Sequence, residues 1–366
     1  MDLLGLLGTI GHEVEDAEDD AFIQFSHPIP SSNLGFVDPR SNTVELTVGG
    51  EELTIRQSPT ILSSKRTGGT TGAGTYIPIY PLPLHLSSGW LGWDVRAIII
   101  LWQVTPKLAE WLCKKDNPLW KSSVLNSESA VVELGCGTSA VLAVSLGPKV
   151  GCYAATDQEY VRKLFNENLH TNGKMDSSSS HAGSMGNRSG KRVERKGGKH
   201  HHHHHHHRPE RERRNSPARR GDDGSGSGDY SGGGVPEKIK FVPLDWELDS
   251  PDMLKRSIGA DVAEDDPGFD LLVACDCIYN DALIAPFVAT CADICRLRPS
   301  VGEERPERPT LCVVGQQLRS HEVFEGWMRE ALQEFRVWRV KDEVVGSTLA
   351  SGTGYTVHIL LLKGGN

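Results

Sequence analysis

Eight cysteines are spread through 366 residues, and no two are spaced as CxxC. Cys275 and Cys277 instead sit inside an apolar run. This distribution argues against a secreted disulfide framework and fits reduced thiols in the cytoplasm, with the nucleus left open. Long apolar runs are missing too; none could span a bilayer, so no membrane partner is expected. The opening Met1-Asp2-Leu3-Leu4-Gly5 carries no basic residue and soon turns acidic, so a secretory leader is not expected. Apolar residues reach only 38%, which is low for a compact enzyme of this length. Low-complexity sequence must therefore dilute an ordinary core. The net charge is −9, yet basic residues collect in 171–234, leaving the rest more acidic still. An acidic body attracts basic partners and repels nucleic acid, so no direct nucleic-acid contact is expected.

The length allows two average domains or one domain with large insertions. Residues 1–20 cluster Glu13, Glu15, Asp16, Glu18, Asp19 and Asp20 without apolar periodicity and read as a disordered acidic arm. Residues 21–366 read as one interrupted domain. Thr43 to Val48 alternates, Gly49-Gly50 follows, and Leu53-Thr54-Ile55 resumes, which is a hairpin pattern. Residues 72–98 hold Pro78, Pro81 and Pro83 among aromatics and suit neither strand nor helix. A translated intron and a lineage-specific loop both have this character. From Thr105 to Lys115 a helix is expected, with Thr105 as cap and Pro106 in its first turn.

Strand runs at 130–136, 152–157, 238–244, 269–278, 310–316, 336–340 and 356–362 alternate with helix runs. Those fall near 139–146, 158–169, 249–258, 280–297 and 320–334. Such alternation predicts an α/β fold with a mostly parallel sheet and helices on both faces. The last two strands have only a loop between them, so one antiparallel strand is expected near the C-terminus. Residues 171–237 interrupt the pattern with serine runs, the tract His200–His207, arginines and Gly/Ser repeats. Almost nothing there is apolar, so it reads as a disordered insert. The histidine tract could bind metal, but a slipped repeat in a tolerant loop is the plainer reading, and no metal site is assigned.

Val131-Val132-Glu133-Leu134-Gly135-Cys136-Gly137-Thr138-Ser139 reads as a buried strand entering a glycine turn and then a helix. Glycine lets backbone approach a ligand closely, and a helix start offers free N–H groups. The turn has the first two glycines of GxGxxG, with Ala140 at the third place. Asp157 follows 20 residues after Gly137, at the end of the next strand, where an acid can accept ribose hydroxyls. Together these residues point to a nucleoside, without saying which. The plainer alternatives are an ordinary turn and a helix cap at Asp157. Asp245-Trp246 follows the third strand of the run, where an indole can stack on adenine and the acid can accept its amine. A packing Trp beside a capping Asp is the competing reading. Asp276-Cys277-Ile278-Tyr279 closes the most apolar strand, where the acid would face the crevice in which doubly wound sheets bind ligands; an Asp tied to a loop N–H with the Tyr in the core is the competing reading.

Leu101-Trp102, Glu133 to Gly137, Thr156-Asp157, Asp245-Trp246 and the Asp-x-x-Tyr of Asp276 to Tyr279 resemble the seven-strand protein-lysine methyltransferases of the methyltransferase-like 21 group. Ala274 to Asn280 and Gly315-Gln316-Gln317-Leu318-Arg319-Ser320 resemble its fungal ribosomal lysine N-methyltransferase 5 branch. The resemblance implies a class I, Rossmann-like sheet, S-adenosyl-L-methionine as cofactor and a protein substrate. A ribosomal protein is favoured and a chaperone-type ATPase is the other candidate; the chain would act as a monomer. It also implies that Trp102, Gly135, Cys136, Gly137, Asp157, Trp246 and Cys275 contact the cofactor. Asp276 and Tyr279 would shape the lysine site and act as its catalytic pair. Two other readings remain: an NAD-dependent oxidoreductase, and a non-catalytic cofactor-binding scaffold or misspliced form.

Overall fold

Short apolar runs with no polar face need cover on both sides, and the computed structural model provides it. The structure describes residues 2–29, 36–38, 40–58, 101–173, 238–258, 266–298 and 308–364. It begins with α1 (Leu3–Ile10), β1 (Gly11–Val14) and α2 (Ala17–Phe25), then the pair β2 (Thr43–Val48) and β3 (Glu51–Arg56). Next come α3 (Val104–Cys113), α4 (Pro118–Lys121), β4 (Ala130–Leu134), α5 (Val141–Leu146), β5 (Cys152–Asp157) and α6 (Arg162–Asn172). The last part holds β6 (Ile239–Pro243), α7 (Leu254–Ser257), β7 (Leu271–Cys275), α8 (Asp281–Arg296) and β8 (Leu311–Gln317). After these come α9 (His321–Glu334), β9 (Phe335–Val340), α10 (Asp342–Val345) and β10 (Tyr355–Leu362).

Eight strands form one sheet in the order β1-β9-β10-β8-β7-β4-β5-β6. β6, β5, β4, β7 and β8 are parallel, while β10 runs antiparallel between β8 and β9. Counted from β4, the order is 3-2-1-4-5-7-6, the arrangement of a class I methyltransferase-like Rossmann fold. The order reverses at β4, which lies between β5 and β7. The crevice outside the carboxyl ends of β4 and β7 is therefore the topological switch point.

β4 and β7 are buried at every position. Leu271, Val273 and Cys275 of β7 pack into a layer with Leu108 and Leu112 of α3 and Phe165 of α6. Leu272 and Ala274 pack into the opposite layer with Phe287 of α8 and Trp327 of α9. The period-2 alternation of a strand thus feeds two cores.

The hairpin is present, closed by Gly49 and Gly50 at φ 61° and 91°, as a two-residue turn of that sense requires. Two asparagines one helical turn apart dock it. Asn168 and Asn172 of α6 each accept and donate to the backbone of β3, at Arg56 and Thr54. Their amides act as a short surrogate strand along its free edge.

Of the arm expected to be disordered, residues 2–20 fold onto the sheet. β1 pairs with β9 and makes an eighth strand, and α2 packs against α9. The acids have partners: Glu13 pairs with Arg336, and Asp20 is buried against Arg339 and His358. The expected cap at Thr105 is also corrected. α3 starts at Val104, and no side chain caps it. Thr105 is drawn inward, its Oγ1 3.5 Å from Cys275 Sγ. The insert at 72–98 lies outside the described residues. So does 174–237, whereas Thr171 and Asn172, expected to open that insert, complete α6.

Candidate functional site

Where β4 ends, the chain enters the left-handed region three times. Gly135 and Gly137 have φ 65° and 59°, and Ala140 has φ 57°. At Gly135 a side chain is excluded on two counts. A Cβ there would lie 2.7 Å from Cys277 Sγ and 3.2 Å from the Trp246 ring. Ala140, which takes the place of a third glycine, keeps its methyl buried.

Asp157, at the tip of β5, binds this turn directly. One carboxylate oxygen accepts the Gly137 N–H at 2.8 Å, and the other accepts the Gln158 N–H at 2.7 Å. Thr156 contributes as well: its hydroxyl donates to Glu133 O at 2.8 Å, and its carbonyl accepts the Cys136 N–H at 3.0 Å. The Thr-Asp pair therefore laces β5 to the glycine turn. Burial pushes the Asp157 carboxyl up to about 6, although its two backbone donors oppose this. Glu133 faces the same cleft. Burial pushes it up to about 8 against the opposing hydrogen bond from Tyr153, with the Asp157 charge adding to the rise.

Trp246 lies half-buried along the cleft, its ring 5.2 Å from that of Phe287. Asp245 takes the capping role offered as its competing reading, and each of its oxygens keeps a lone pair. It accepts the Glu247 N–H at 2.9 Å and the Gln158 side-chain amide at 2.8 Å, so it organises the turn behind the indole.

Just past β7 stands Asp276, which is non-glycine yet has φ 58°. Its N–H donates to Gly315 O at 2.8 Å, and its side chain is buried to 1%. Arg319 lays both terminal nitrogens on the carboxylate, Nη1 at 2.8 Å and Nη2 at 2.5 Å. The Gln317 N–H adds a contact at 3.2 Å. The Arg319 guanidinium also lies over the Trp102 ring, 4.6 Å from its centroid. Tyr355, whose hydroxyl donates to Gln103 at 2.8 Å, sits close enough to feel both charges.

All nine residues singled out from sequence line one cleft: Trp102, Gly135, Cys136, Gly137, Asp157, Trp246, Cys275, Asp276 and Tyr279. Sequence reasoning missed Arg319, Gln158 and Asn168. Arg319 stands in a quoted motif, but no local signal assigns it a partner just past β7. Asn168 donates to Thr138 O at 2.7 Å and so ties the hairpin dock to the glycine turn. Among the described residues no cluster of His, Cys, Asp and Glu could hold a metal ion.

No family model matches the chain. It is 22% identical to ribosomal lysine N-methyltransferase 5 of Candida glabrata over 362 residues, covering 90% of this chain and 91% of that one. The same protein of Zygosaccharomyces rouxii is 24% identical over 265 residues, covering 69% and 70%. The chain is also 26% identical to a diaminohydroxyphosphoribosylamino-pyrimidine deaminase of Schizosaccharomyces pombe over 164 residues. That match covers 44% of this chain but only 33% of the deaminase. A solved O-methyltransferase family 2 protein from Planctomyces limnophilus is 10% identical, with coverage of 72% and 57% and a TM-score of 0.32. The strand order gives the chain a methyltransferase-like fold, and its sequence has a low-level similarity to fungal lysine N-methyltransferase 5 proteins.

Proposed function

We propose that the protein is an S-adenosylmethionine-dependent protein-lysine N-methyltransferase whose substrate is a ribosomal protein. One observation carries the reading. The left-handed glycine turn after β4, braced by Asp157, opens onto the same cleft as Asp276 and Tyr279 after β7. A nucleoside subsite and a polar reaction end thus share one crevice. The similarity to lysine N-methyltransferase 5 of two fungi supports the choice of lysine and of a ribosomal substrate. The acidic net charge suits a basic target.

The donor set fits the cofactor. Gly135 leaves room that a Cβ would fill, and the Trp246 ring borders that space. Asp157 uses one lone pair of each oxygen on backbone, leaving acceptors for ribose hydroxyls. Bound there, S-adenosylmethionine would supply a methyl on a sulfonium, transferable without a metal. The chain's part is placement, and it must receive the lysine as a neutral amine. The reference pKa of lysine is about 10.4, so the amine must shed a proton first. A partly desolvated passage walled by Trp102 and Tyr279 favours the neutral form.

The test is transfer of labelled methyl from the cofactor into salt-stripped ribosomal proteins, followed by identification of the modified residue. A labelled lysine supports the proposal. If the protein binds S-adenosylhomocysteine but labels no lysine, the lysine assignment fails and the scaffold reading stands. Binding of NAD in preference to S-adenosylhomocysteine would restore the oxidoreductase reading.

A further inference from the structure

Asp276 is the acid to which a substrate amine would be drawn, yet its charge is already matched. Arg319 grips both carboxylate oxygens in the bidentate geometry that only a guanidinium offers. The guanidinium is itself held from two further sides. Nη2 donates to Gln317 Oε1 at 3.0 Å, and the Trp102 ring lies against its face. Asp276 also retains a backbone conformation that non-glycine residues rarely adopt. Strain of this kind persists where surrounding contacts over-determine it. Two of those contacts are the Arg319 fork and the Gln317 N–H.

We propose that Arg319 is a positioning residue that sets the charge of the reaction end: it holds Asp276 in place and cancels its charge, so that the site admits a neutral amine. This rests on the methyltransferase reading and names how the same site treats its substrate. A lone buried carboxylate would favour an ammonium, which has no lone pair with which to attack. The Asp276–Arg319 pair instead carries no net charge beside the cleft, with the Asp276 side chain 1% exposed. Among the described residues, Glu133 and Asp157 of the same cleft are further titratable neighbours. Tyr355 on β10 sits beside both members, Lys107 of α3 lies over the Tyr355 ring, and Cys275 and Cys277 flank Asp276. None replaces the fixed charge of Arg319.

The test needs no protein substrate. Sinefungin is a cofactor analogue with a primary ammonium on carbon where the cofactor has its methylated sulfur. S-adenosylhomocysteine has a neutral sulfide there. The ratio of their affinities, measured by calorimetry at about pH 8, where a primary amine is protonated, reports how the site values a cation. Arg319→Met should shift the ratio toward sinefungin, and Asp276→Asn should shift it away, each by about tenfold, as expected for one charge at partly shielded range. The double variant should return near the wild-type ratio, and Arg319→Lys, which keeps the charge, should stay near it. Should Met at 319 unfold the chain, Asp276→Asn and Arg319→Lys carry the test alone. Equal ratios in all variants, or Arg319→Lys behaving as Arg319→Met, would overturn the proposal. If the wild type binds neither analogue, the cofactor reading falls and takes this proposal with it. Wild-type binding with an unmoved ratio removes only the role of Arg319.

Discussion

The Tyr153 hydroxyl donates to Glu133 Oε2 at 2.7 Å, across the neighbouring strands β5 and β4, with both residues buried. Glu133 sits at the floor of the cleft, and burial raises its carboxyl from 4.5 to about 8. A raised carboxyl means that the folded state holds the proton more tightly than the unfolded chain. The stability it contributes is full below about 4.5 and is lost as pH rises through about 8. Glu133→Gln keeps the shape and an acceptor for Tyr153 but has no proton to lose. Its Tm should decline less than that of the wild type from about pH 5 to about pH 9, with the gap widest at the alkaline end. Thermal melts of both proteins across that range check this; parallel curves would mean that Glu133 titrates normally.

Gly135 faces a conformational and a steric demand, and the two can be separated. Gly135→Ala puts an L residue at φ 65°, a cost of roughly 1–2 kcal/mol. It also brings a Cβ within 2.7 Å of Cys277 Sγ. Overpacking of this kind costs about 1–3 kcal/mol more. Adding Cys277→Ala removes the sulfur and should recover the second part but not the first. Denaturant midpoints of the single and double variants measure both. If the double variant is no more stable than Gly135→Ala alone, the sulfur contact is not what excludes a side chain.

The sheet was legible because its signals are local. β7 is an unbroken apolar run, β4 is broken only by Glu133, and the glycine turn follows β4 directly. Most of the nine cleft residues stand at or just past a strand's carboxyl end, which topology alone brings together, whereas Trp102 and Cys275 were implied only by the family resemblance. What escaped depends on distance along the chain. Asp20 looks like one more solvated acid among Asp16, Glu18 and Asp19, because its partners Arg339 and His358 are 319 and 338 positions away. Arg319 reaches back 43 positions to Asp276. Thr105 has the right type and place for a cap, but tertiary packing turned its hydroxyl toward Cys275. Periodicity says which face is buried; it does not say which charge answers which.

Asn168 joins two parts of the molecule that no strand connects. Its side chain accepts from Arg56 N and donates to Arg56 O and to Thr138 O, at 2.8, 3.0 and 2.7 Å. Asn168→Ala leaves three backbone groups without this partner, and each buried group stripped of its bond costs about 1–3 kcal/mol. Water reaches the hairpin edge, so a total near 2–3 kcal/mol is expected. Hydrogen exchange should rise first in 51–56 and in the glycine turn, and S-adenosylhomocysteine affinity should fall with it. Unchanged exchange at the turn would show that the hairpin and the cleft are independent.

Asp20 ties the N-terminal segment to the sheet by charge, beside the buried apolar residues Leu7, Ile10, Ala17 and Ala21. Burial alone would raise the Asp20 carboxyl, but the hydrogen bonds and charges of His358 and Arg339 outweigh it and hold the group below 3.8. A lowered carboxyl adds stability that is present above the unfolded value near 3.8 and is lost as pH falls through the folded one. Asp20→Asn removes that charge at every pH and leaves Arg339, whose side chain is only 18% exposed, without its counter-ion. Breaking one side of such a pair costs about 3–5 kcal/mol. Since β1 is an edge strand and α2 packs mainly on α9, the loss should appear as local opening. Residues 11–25 should lose hydrogen-exchange protection while β4 and β7 keep theirs. Replacing both partners, Asp20→Leu with Arg339→Met, should restore most of the stability, because two matched apolar groups leave no charge unpaired. If Asp20→Asn alone costs less than about 1 kcal/mol, the size of a surface pair, then apolar packing rather than this ion pair holds the segment on the sheet.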